Sequence, residues 1–151
     1  RDVQYAPCIA LLGLAERPIP LPHPGVLRNP CPAIEWIADN ETKGISEKGP
    51  AITVHCSPDF SSSHGEADDD DLFEAIVTEL REVVPIRFSN WTVTRWRHSR
   101  PIEPLSVGAW SDGLPDGLVL AGDVFHGARV EGAALSGVAA ARLIAGESQS
   151  L

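Results

Sequence analysis

The amino-acid sequence predicts an α+β fold: an antiparallel sheet with one flanking helix, followed by a separate strand-helix unit. Short runs in which apolar residues alternate at period two recur through residues 1–105, as in half-buried strands. One longer run in the same region repeats its apolar residues at helical spacing. Residues 106–151 differ, because they hold a short, wholly apolar run before a second helical pattern. We therefore predict two domains with these bounds.

Four β-prone runs give the predicted strands of the first domain, at residues 3–14, 33–38, 51–56 and 91–98. Between the first two runs, prolines at six positions over residues 18–32 remove the backbone donors that a sheet interior needs. This segment is predicted to be an extended loop. After the third run, Ser57, Pro58 and Asp59 are predicted to form a closing turn.

The clearest predicted helix covers residues 68–84, where Leu72, Ile76 and Leu80 recur on one face. Four aspartates at its start supply an N-cap and negative charge at the positive end of the helix dipole. Pro85 is predicted to end the helix, because a helix interior does not tolerate proline.

Composition and charge exclude several classes of function. With 43% apolar residues, the 151-residue chain can bury a core, and its net charge of −9 repels nucleic acid and anionic membranes. The chain has three cysteines, whereas a disulfide framework needs a larger, even number. We therefore expect a reducing, cytoplasmic compartment. Because the sequence holds no methionine and begins in strand-like sequence, we expect a fragment of a longer chain.

Residues 118–121 are predicted to form a buried strand of the parallel type, and residues 131–145 the second helix. Asp123 follows the strand, and a glycine-bearing loop leads from it into a helix of small residues. Free amides at such a helix start can meet an electron-rich ligand group, and Asp123 can accept from a sugar-like hydroxyl. An ordinary strand-loop-helix unit with small residues for close packing is the alternative, and local physics leaves both open.

A resemblance to a known family bears on this choice. The run GDVFHGARVEGAALSGVAAARL resembles the C-terminal flavin motif of the FAD-dependent amine oxidase superfamily. Further runs, in the same order, resemble strands and loops of the renalase-like members of that superfamily: Asn29-Pro30-Cys31, Asp39-Asn40, Gly49-Pro50-Ala51-Ile52-Thr53-Val54-His55 and Trp96-Arg97-His98-Ser99.

The resemblance implies a fold like that of p-hydroxybenzoate hydroxylase, in which an FAD-binding α/β domain carries an inserted antiparallel substrate sheet. Residues 1–105 would then be the substrate-type domain, and residues 106–151 the terminal strand and helix of the FAD-binding domain. The Gly-x-Gly-x-x-Gly fingerprint of the N-terminal half is absent from this sequence, so an N-terminal FAD-binding segment is expected as the missing partner.

The resemblance also implies a set of FAD contacts. Asp123 matches a residue that contacts the ribityl or pyrophosphate part of FAD, and the backbone from Arg129 to Gly132 matches the segment that meets the flavin pyrimidine edge. The predicted cofactor-binding residues are Gly122, Asp123, Arg129, Val130, Glu131, Gly132 and Ala133. No catalytic residue is predicted. The reduced nicotinamide substrate expected for such an enzyme is a dihydropyridine, which becomes aromatic when it loses a hydride. This step therefore needs little help from an acid or a base.

Renalase-like enzymes oxidise NAD(P)H isomers reduced at the wrong ring position, passing hydride to FAD and electrons to dioxygen, which becomes hydrogen peroxide. This activity is expected by resemblance, with a reduced pyridine nucleotide or an amine as the small-molecule substrate. Trp96, Arg97 and His98 are the predicted substrate-binding residues, with Trp36 a weaker choice. Strand alternation sends Trp96 and His98 to one face and Arg97 to the other.

Two alternatives stay open: another FAD-dependent amine oxidase or dehydrogenase, and a non-catalytic binding module without cofactor. No metal is predicted, because the spacing of His55, Cys56, Asp59 and His64 matches no zinc pattern.

The isolated chain is expected to be colourless and inactive, since FAD is held mainly by the segment that this sequence lacks. An uncovered apolar strand at residues 118–121 also predicts self-association.

Overall fold

The computed structural model describes residues 3–47 and 49–146. Within them the elements are β1 Tyr5–Ala15, β2 Val26–Cys31, β3 Ile34–Asp39, β4 Ala51–Cys56, α1 Pro58–Ser63, α2 Asp69–Arg81, β5 Phe88–Pro101, α3 Asp123–His126 and α4 Val130–Ile144. The predicted α+β class, with an antiparallel sheet and flanking helix, is confirmed. The ends of the predicted domains, residues 1–2 and 147–151, and Lys48 lie outside the described residues.

The five strands form one sheet in the order β2-β3-β4-β1-β5. At its centre, Val54 pairs with Leu11 on one side and Ile37 on the other, and all three side chains are fully buried. The last strand continues the antiparallel pattern, since the Glu16 N–H donates to the Arg87 carbonyl at one end of the β1–β5 pair and the Ile102 N–H donates to the Gln4 carbonyl at the other, both over 2.9 Å.

Helix α2 covers one face of this sheet. The Asp68 carboxylate accepts from the Asp71 N–H at 2.9 Å, which caps the start of the helix as predicted. Its buried side chains join the strands in a single core, in which α2 supplies Leu72, Ile76, Val77 and Leu80. The helix ends at Arg81, slightly before the predicted end at residue 84.

The chain divides into two compact units. Pro7–Arg97 holds most of the sheet with α1 and α2, and the described parts of Arg1–Ala6 and His98–Leu151 form the second unit. The predicted division into functional domains at residue 105 stays a prediction.

The predicted loop over residues 18–32 is wrong in its second half, because β2 lies there. As an edge strand, β2 tolerates Pro30, since one side of its backbone needs no ladder partner. Its pairing with β3 shifts register between Arg28 and Cys31, and Asn29 at φ +46° bends the strand at that point.

The predicted turn at residues 57–59 is also wrong, because it is the start of helix α1. The Ser57 hydroxyl accepts from the Phe60 N–H at 3.3 Å, and Pro58 takes the first helical position, where a missing N–H costs nothing.

The predicted buried parallel strand at residues 118–121 does not form in the described residues. Leu120 instead makes an isolated antiparallel bridge with Trp110, with N–H to carbonyl distances of 2.9 and 2.8 Å. Leu118 and Leu120 are exposed, since no parallel strand among the described residues lies beside them. An apolar run alone does not specify a parallel strand, which needs neighbours on both sides. The predicted second helix is confirmed as α4.

Candidate functional site

A glycine turn introduces the first part of the candidate site. Gly122 caps α3 at φ +154°, a conformation that favours glycine, and a Cβ built there would meet open space. Asp123, the first residue of α3, is half-buried, and its carboxylate has no hydrogen-bond partner within the described residues. The turn therefore presents an accessible backbone and a carboxylate that can accept a hydrogen bond.

The start of α4 presents three backbone donors. The first hydrogen bond of the helix runs from the Ala133 N–H to the Arg129 carbonyl at 3.0 Å, and the Arg129 side chain does not cap the helix. The N–H groups of Val130, Glu131 and Gly132 consequently have no acceptor among the described residues. Val130 is 89% exposed and Glu131 is also exposed, whereas Gly132 is buried, so the first two donors lie at an accessible helix end that favours negative charge.

A buried serine ties the glycine turn to α4. The Ser136 hydroxyl accepts from the Gly122 N–H at 3.0 Å and donates to the Gly108 carbonyl at 2.5 Å. Ser136 is fully buried, one helical turn beyond Gly132, which is the other buried residue of α4. Ser136 is thus a positioning residue. No local pattern in the sequence indicates this role of Ser136, because its two partners are remote along the chain.

The segment before the turn is fastened to α3 by backbone bonds. The Leu105 N–H donates to the Val124 carbonyl at 2.7 Å, and the Gly108 N–H donates to the Phe125 carbonyl at 2.8 Å. The predicted cofactor-binding residues therefore lie together in one backbone framework of the second unit: Gly122, Asp123, Arg129, Val130, Glu131, Gly132 and Ala133.

The three predicted substrate-binding residues are all exposed but do not share one environment. Arg97 lies on the α2 side of β5 and approaches Glu66 at 3.9 Å, a distant surface pair. Trp96, 58% exposed, lies on the opposite side by strand alternation. His98 belongs to the second unit, where its ring meets Tyr5 edge to face with centroids 5.8 Å apart.

The sheet face opposite α2, which we call the far face, carries a row of polar and aromatic side chains. The Arg28 guanidinium lies 4.7 Å from the centroid of the Trp36 ring, as in a cation–π pair. Trp36 pairs in register with His55, which pairs in turn with Ala10 of β1. No local pattern in the sequence indicates Arg28, because its position over Trp36 depends on the pairing of β2 with β3.

Partial burial in this row changes the pKa of His55. Burial lowers the pKa of His55 from its ordinary value of 6.5, and the negative charge of Glu35 partly opposes that shift. The ring nevertheless keeps an exposed edge. The far face therefore combines a guanidinium, an indole and an imidazole whose neutral form is favoured.

Residues 3–47 and 49–146 contain neither a metal-binding cluster nor a membrane-spanning helix. No group of three or more His, Cys, Asp or Glu side chains there lies close enough together to hold a metal ion. None of the helices in that part of the chain is long and apolar enough to cross a membrane.

A profile that describes flavoproteins of the oxidoreductase class matches residues 42–145, which is more than half of the chain. The chain belongs to the family of flavin containing amine oxidoreductases. The match includes the whole framework from Gly122 to Ala133, so the predicted superfamily is confirmed, while the renalase-like subdivision stays a prediction. No curated protein matches the chain significantly.

The framework fits a flavin on structural grounds. Cβ atoms built at Gly122 and Gly127 would meet open space, and the start of α4 adds N–H groups that have no acceptor in the part of the chain that the structure describes. Such N–H groups can donate hydrogen bonds to the electron-rich pyrimidine edge of a flavin.

Proposed function

We propose that the chain is part of a renalase-like flavin oxidase that uses FAD. In this proposal an NAD(P)H isomer, or a related reduced substrate, gives up a hydride, and dioxygen is reduced to hydrogen peroxide. The observation that carries the proposal is the start of α4: three backbone N–H groups there lack acceptors among the described residues, and the chain belongs to a flavoprotein family.

The donors of Val130 and Glu131, at the exposed start of α4, would hold the pyrimidine edge of the flavin. Negative charge develops at that edge on reduction, and oriented N–H groups at a helix start stabilise it without reorganising. Asp123 would accept a hydrogen bond from a hydroxyl of the ribityl chain or of another polyol part. Ser136 would keep these two elements in register through its bond to the Gly122 N–H.

The far face supports the substrate part of the proposal. Trp96 and Trp36 offer flat apolar surfaces to a nicotinamide ring, and Arg28 offers a charged fork to a nucleotide phosphate. Arg97 is the weaker choice of the predicted residues, because it lies on the α2 side near Glu66. The protein's task is then to orient the reduced ring and exclude competing molecules.

The proposed reaction balances without a catalytic acid. The reduced nicotinamide ring loses a hydride and becomes an aromatic pyridinium. Dioxygen takes up two electrons and two protons, one of which comes from solvent. FAD supplies the two-electron acceptor that links these half-reactions.

Amine oxidation is the second candidate, since it is the chemistry in the family's description. Within the described residues, Lys43 lies in the turn after β3, where its backbone N–H donates to the Asp39 carbonyl at 3.2 Å. Many amine oxidases place a lysine near the flavin ring, so this position favours the pyridine nucleotide. A binding module without cofactor remains the non-enzymatic alternative.

Self-association of the isolated chain is part of the proposal. Apolar side chains remain exposed in the second unit, and another copy, or the proposed N-terminal FAD-binding segment, would cover them. They include Leu118, Leu120, Leu135, Val138 and Ile144.

The test is to purify the full-length gene product and record peroxide formation with NAD(P)H isomers, ordinary NAD(P)H and a panel of amines. We expect turnover with the isomers, and a KM for them at least tenfold higher in Trp96→Ala. Thr78→Ala, on the exposed side of α2, is the control and should behave like the parent. Turnover with amines alone would establish the second candidate, and a purified protein without flavin would contradict the proposed enzyme altogether.

A further inference from the structure

A cavity of about 570 Å³ lies where β1 ends and β5 begins, beside the last turn of α2. It is lined by Glu16, Arg17, Arg81, Pro85, Ile86 and Arg87. A second lobe of about 400 Å³ shares Glu16, Arg81 and Arg87 and extends along α2 to Phe73 and Val77. The cavity belongs entirely to the sheet unit Pro7–Arg97.

The charge of this cavity is opposite to that of the chain. Three guanidinium groups and one carboxylate line it, although the net charge of the protein is −9. None of the three arginines, Arg17, Arg81 or Arg87, forms an ion pair with any described residue. Their hydrogen-bond donors are thus available to an anion.

Fold stability accounts for only one of these arginines. A cation at the C-terminal end of a helix is favourable, which explains Arg81 at the last position of α2. Arg17 and Arg87 follow from strand pairing, because the Glu16 N–H bonds to the Arg87 carbonyl at 2.9 Å and brings the two segments side by side. Like charges placed together in this way oppose folding unless an anion neutralises them.

The cavity also has an apolar floor. Ile86 is buried and Pro85 lies beside it, while the second lobe adds Phe88, whose ring meets that of Phe73 edge to face at 6.0 Å. Small-molecule sites commonly have volumes of about 300–1,000 Å³ and combine such apolar walls with a few charged groups. The floor thus favours a ligand with an organic part over a bare ion.

We propose that this cavity is a binding site for a small organic phosphate. The phosphate would meet the guanidinium groups of Arg17, Arg81 and Arg87, whose planar donor pairs match phosphate oxygens. The apolar part of the ligand would rest on Pro85 and Ile86. The site lies on the α2 side of the sheet, whereas Arg28, Trp36 and Trp96 lie on the far face.

The probes are phenyl phosphate and inorganic phosphate, titrated calorimetrically into the full 151-residue chain in phosphate-free buffer. We expect phenyl phosphate to bind more tightly than inorganic phosphate, because only its ring reaches the apolar floor. The Arg17→Gln/Arg87→Gln variant should bind phenyl phosphate at least tenfold more weakly, and Glu16→Gln should bind it more tightly. The charge-matched comparison uses single variants: Arg87→Gln should weaken binding of phenyl phosphate several-fold. Arg142→Gln loses the same single charge at a residue that lines neither lobe and should stay within about twofold of the parent.

Further measurements distinguish specific binding from unfolding of a variant and from a general effect of charge. Melting curves identify variants that fail to fold, and Arg87→Lys keeps the charge while losing the planar fork, so its affinity should be intermediate. Equal weakening by Arg142→Gln would show that bulk charge alone is responsible and would overturn the proposal. Equal affinity for sulfate and both phosphates, lost at about 0.15 M salt, would mean an adventitious ion only and would also overturn it.

Discussion

The carbonyl group of Gly127 occupies the space that a side chain at Gly132 would need. A Cβ built on Gly132 overlaps the Gly127 carbonyl oxygen and lies 2.9 Å from its Cα. Gly127 is held from both sides, because its N–H donates to the Asp123 carbonyl at 2.8 Å and its carbonyl accepts from the Arg129 N–H at 2.7 Å. The loop between α3 and α4 therefore depends on glycine at 132.

We expect Gly132→Ala to destabilise the second unit by about 1–3 kcal/mol, because the new methyl group must push rigid backbone aside. Displacing that backbone would also move the α4 donors away from Asp123, so flavin retention should fall. Thermal unfolding and the flavin absorbance of the purified full-length protein measure the two effects.

Gly137→Ala on the same helix is the matched control, since a Cβ there meets open space. This change should stabilise α4 by up to about 1 kcal/mol, because alanine has the higher helix propensity. Equal destabilisation by both variants would show that close contact at Gly132 is not the cause.

A second prediction concerns Ser136→Ala. Removing the hydroxyl leaves the Gly122 N–H and the Gly108 carbonyl without their buried partner, at an expected cost of about 1–3 kcal/mol. Ser63→Ala, which removes an exposed hydroxyl bonded to the Asp59 carbonyl, should change stability by less than about 0.5 kcal/mol. Urea unfolding of both variants makes the comparison, and similar small effects would contradict the positioning role of Ser136.

The sheet and α2 are predictable from local patterns because their periodicity matches the faces that they bury. Alternation in β1 puts Ile9 and Leu11 into the core and leaves Leu12 exposed, as a half-buried strand requires. The segment around Pro30 misleads because proline is excluded from central strands only, and β2 is an edge strand. Whether a strand lies at an edge is set by pairing, which local sequence does not contain.

The candidate site is predictable only in part for the same reason. The turn at Asp123 and the start of α4 are consecutive in sequence, so one motif contains both. Ser136 acts on Gly108, and Arg28 lies over Trp36, through contacts that exist only after distant segments pack together. Such contacts produce no periodic pattern in the sequence.

The reactivity of the cysteines gives a third prediction. Burial raises the pKa of the Cys56 thiol to about 12, with smaller contributions from Cys8 and Cys31. At pH 8 only about one Cys56 thiol in ten thousand is then ionised, and the side chain is 1% exposed. Iodoacetamide should label Cys56 last in the folded chain, whereas in denaturant all three cysteines should react at similar rates. Peptide mass spectrometry measures the order, and early labelling of Cys56 would contradict its burial.

Protonation of His55 gives a fourth prediction. Burial lowers its folded pKa below 6.5, so as pH falls through 6.5 the unfolded chain binds a proton that the folded chain disfavours. The free energy of unfolding should therefore fall below pH 6.5, down to the folded pKa, and it should fall less in His55→Gln. The exposed edge of the ring admits solvent screening, so the difference should stay well below the about 1.4 kcal/mol of a full pKa unit.

Urea unfolding from pH 8 to 5 measures this difference between parent and variant. Glu35→Gln supplies the check, since removing the charge that raises the pKa of His55 should make the loss at low pH larger. Parallel pH profiles for the parent and His55→Gln would contradict the prediction.

The last prediction separates the two acidic residues of the proposed cofactor site. Asp123 is half-buried beside the glycine turn and its carboxylate has no partner within the described residues, whereas Glu131 is exposed in the first turn of α4. A charge-assisted hydrogen bond to a cofactor hydroxyl contributes roughly 1.5–3 kcal/mol, so Asp123→Ala should weaken FAD binding about tenfold to a hundredfold. Glu131→Gln keeps the backbone N–H that the site uses and should leave affinity nearly unchanged. FAD titration of the full-length apoprotein, followed by flavin fluorescence, measures both constants. Equal losses in the two variants would mean that Asp123 makes no specific contact, and the assignment of its role would then be wrong.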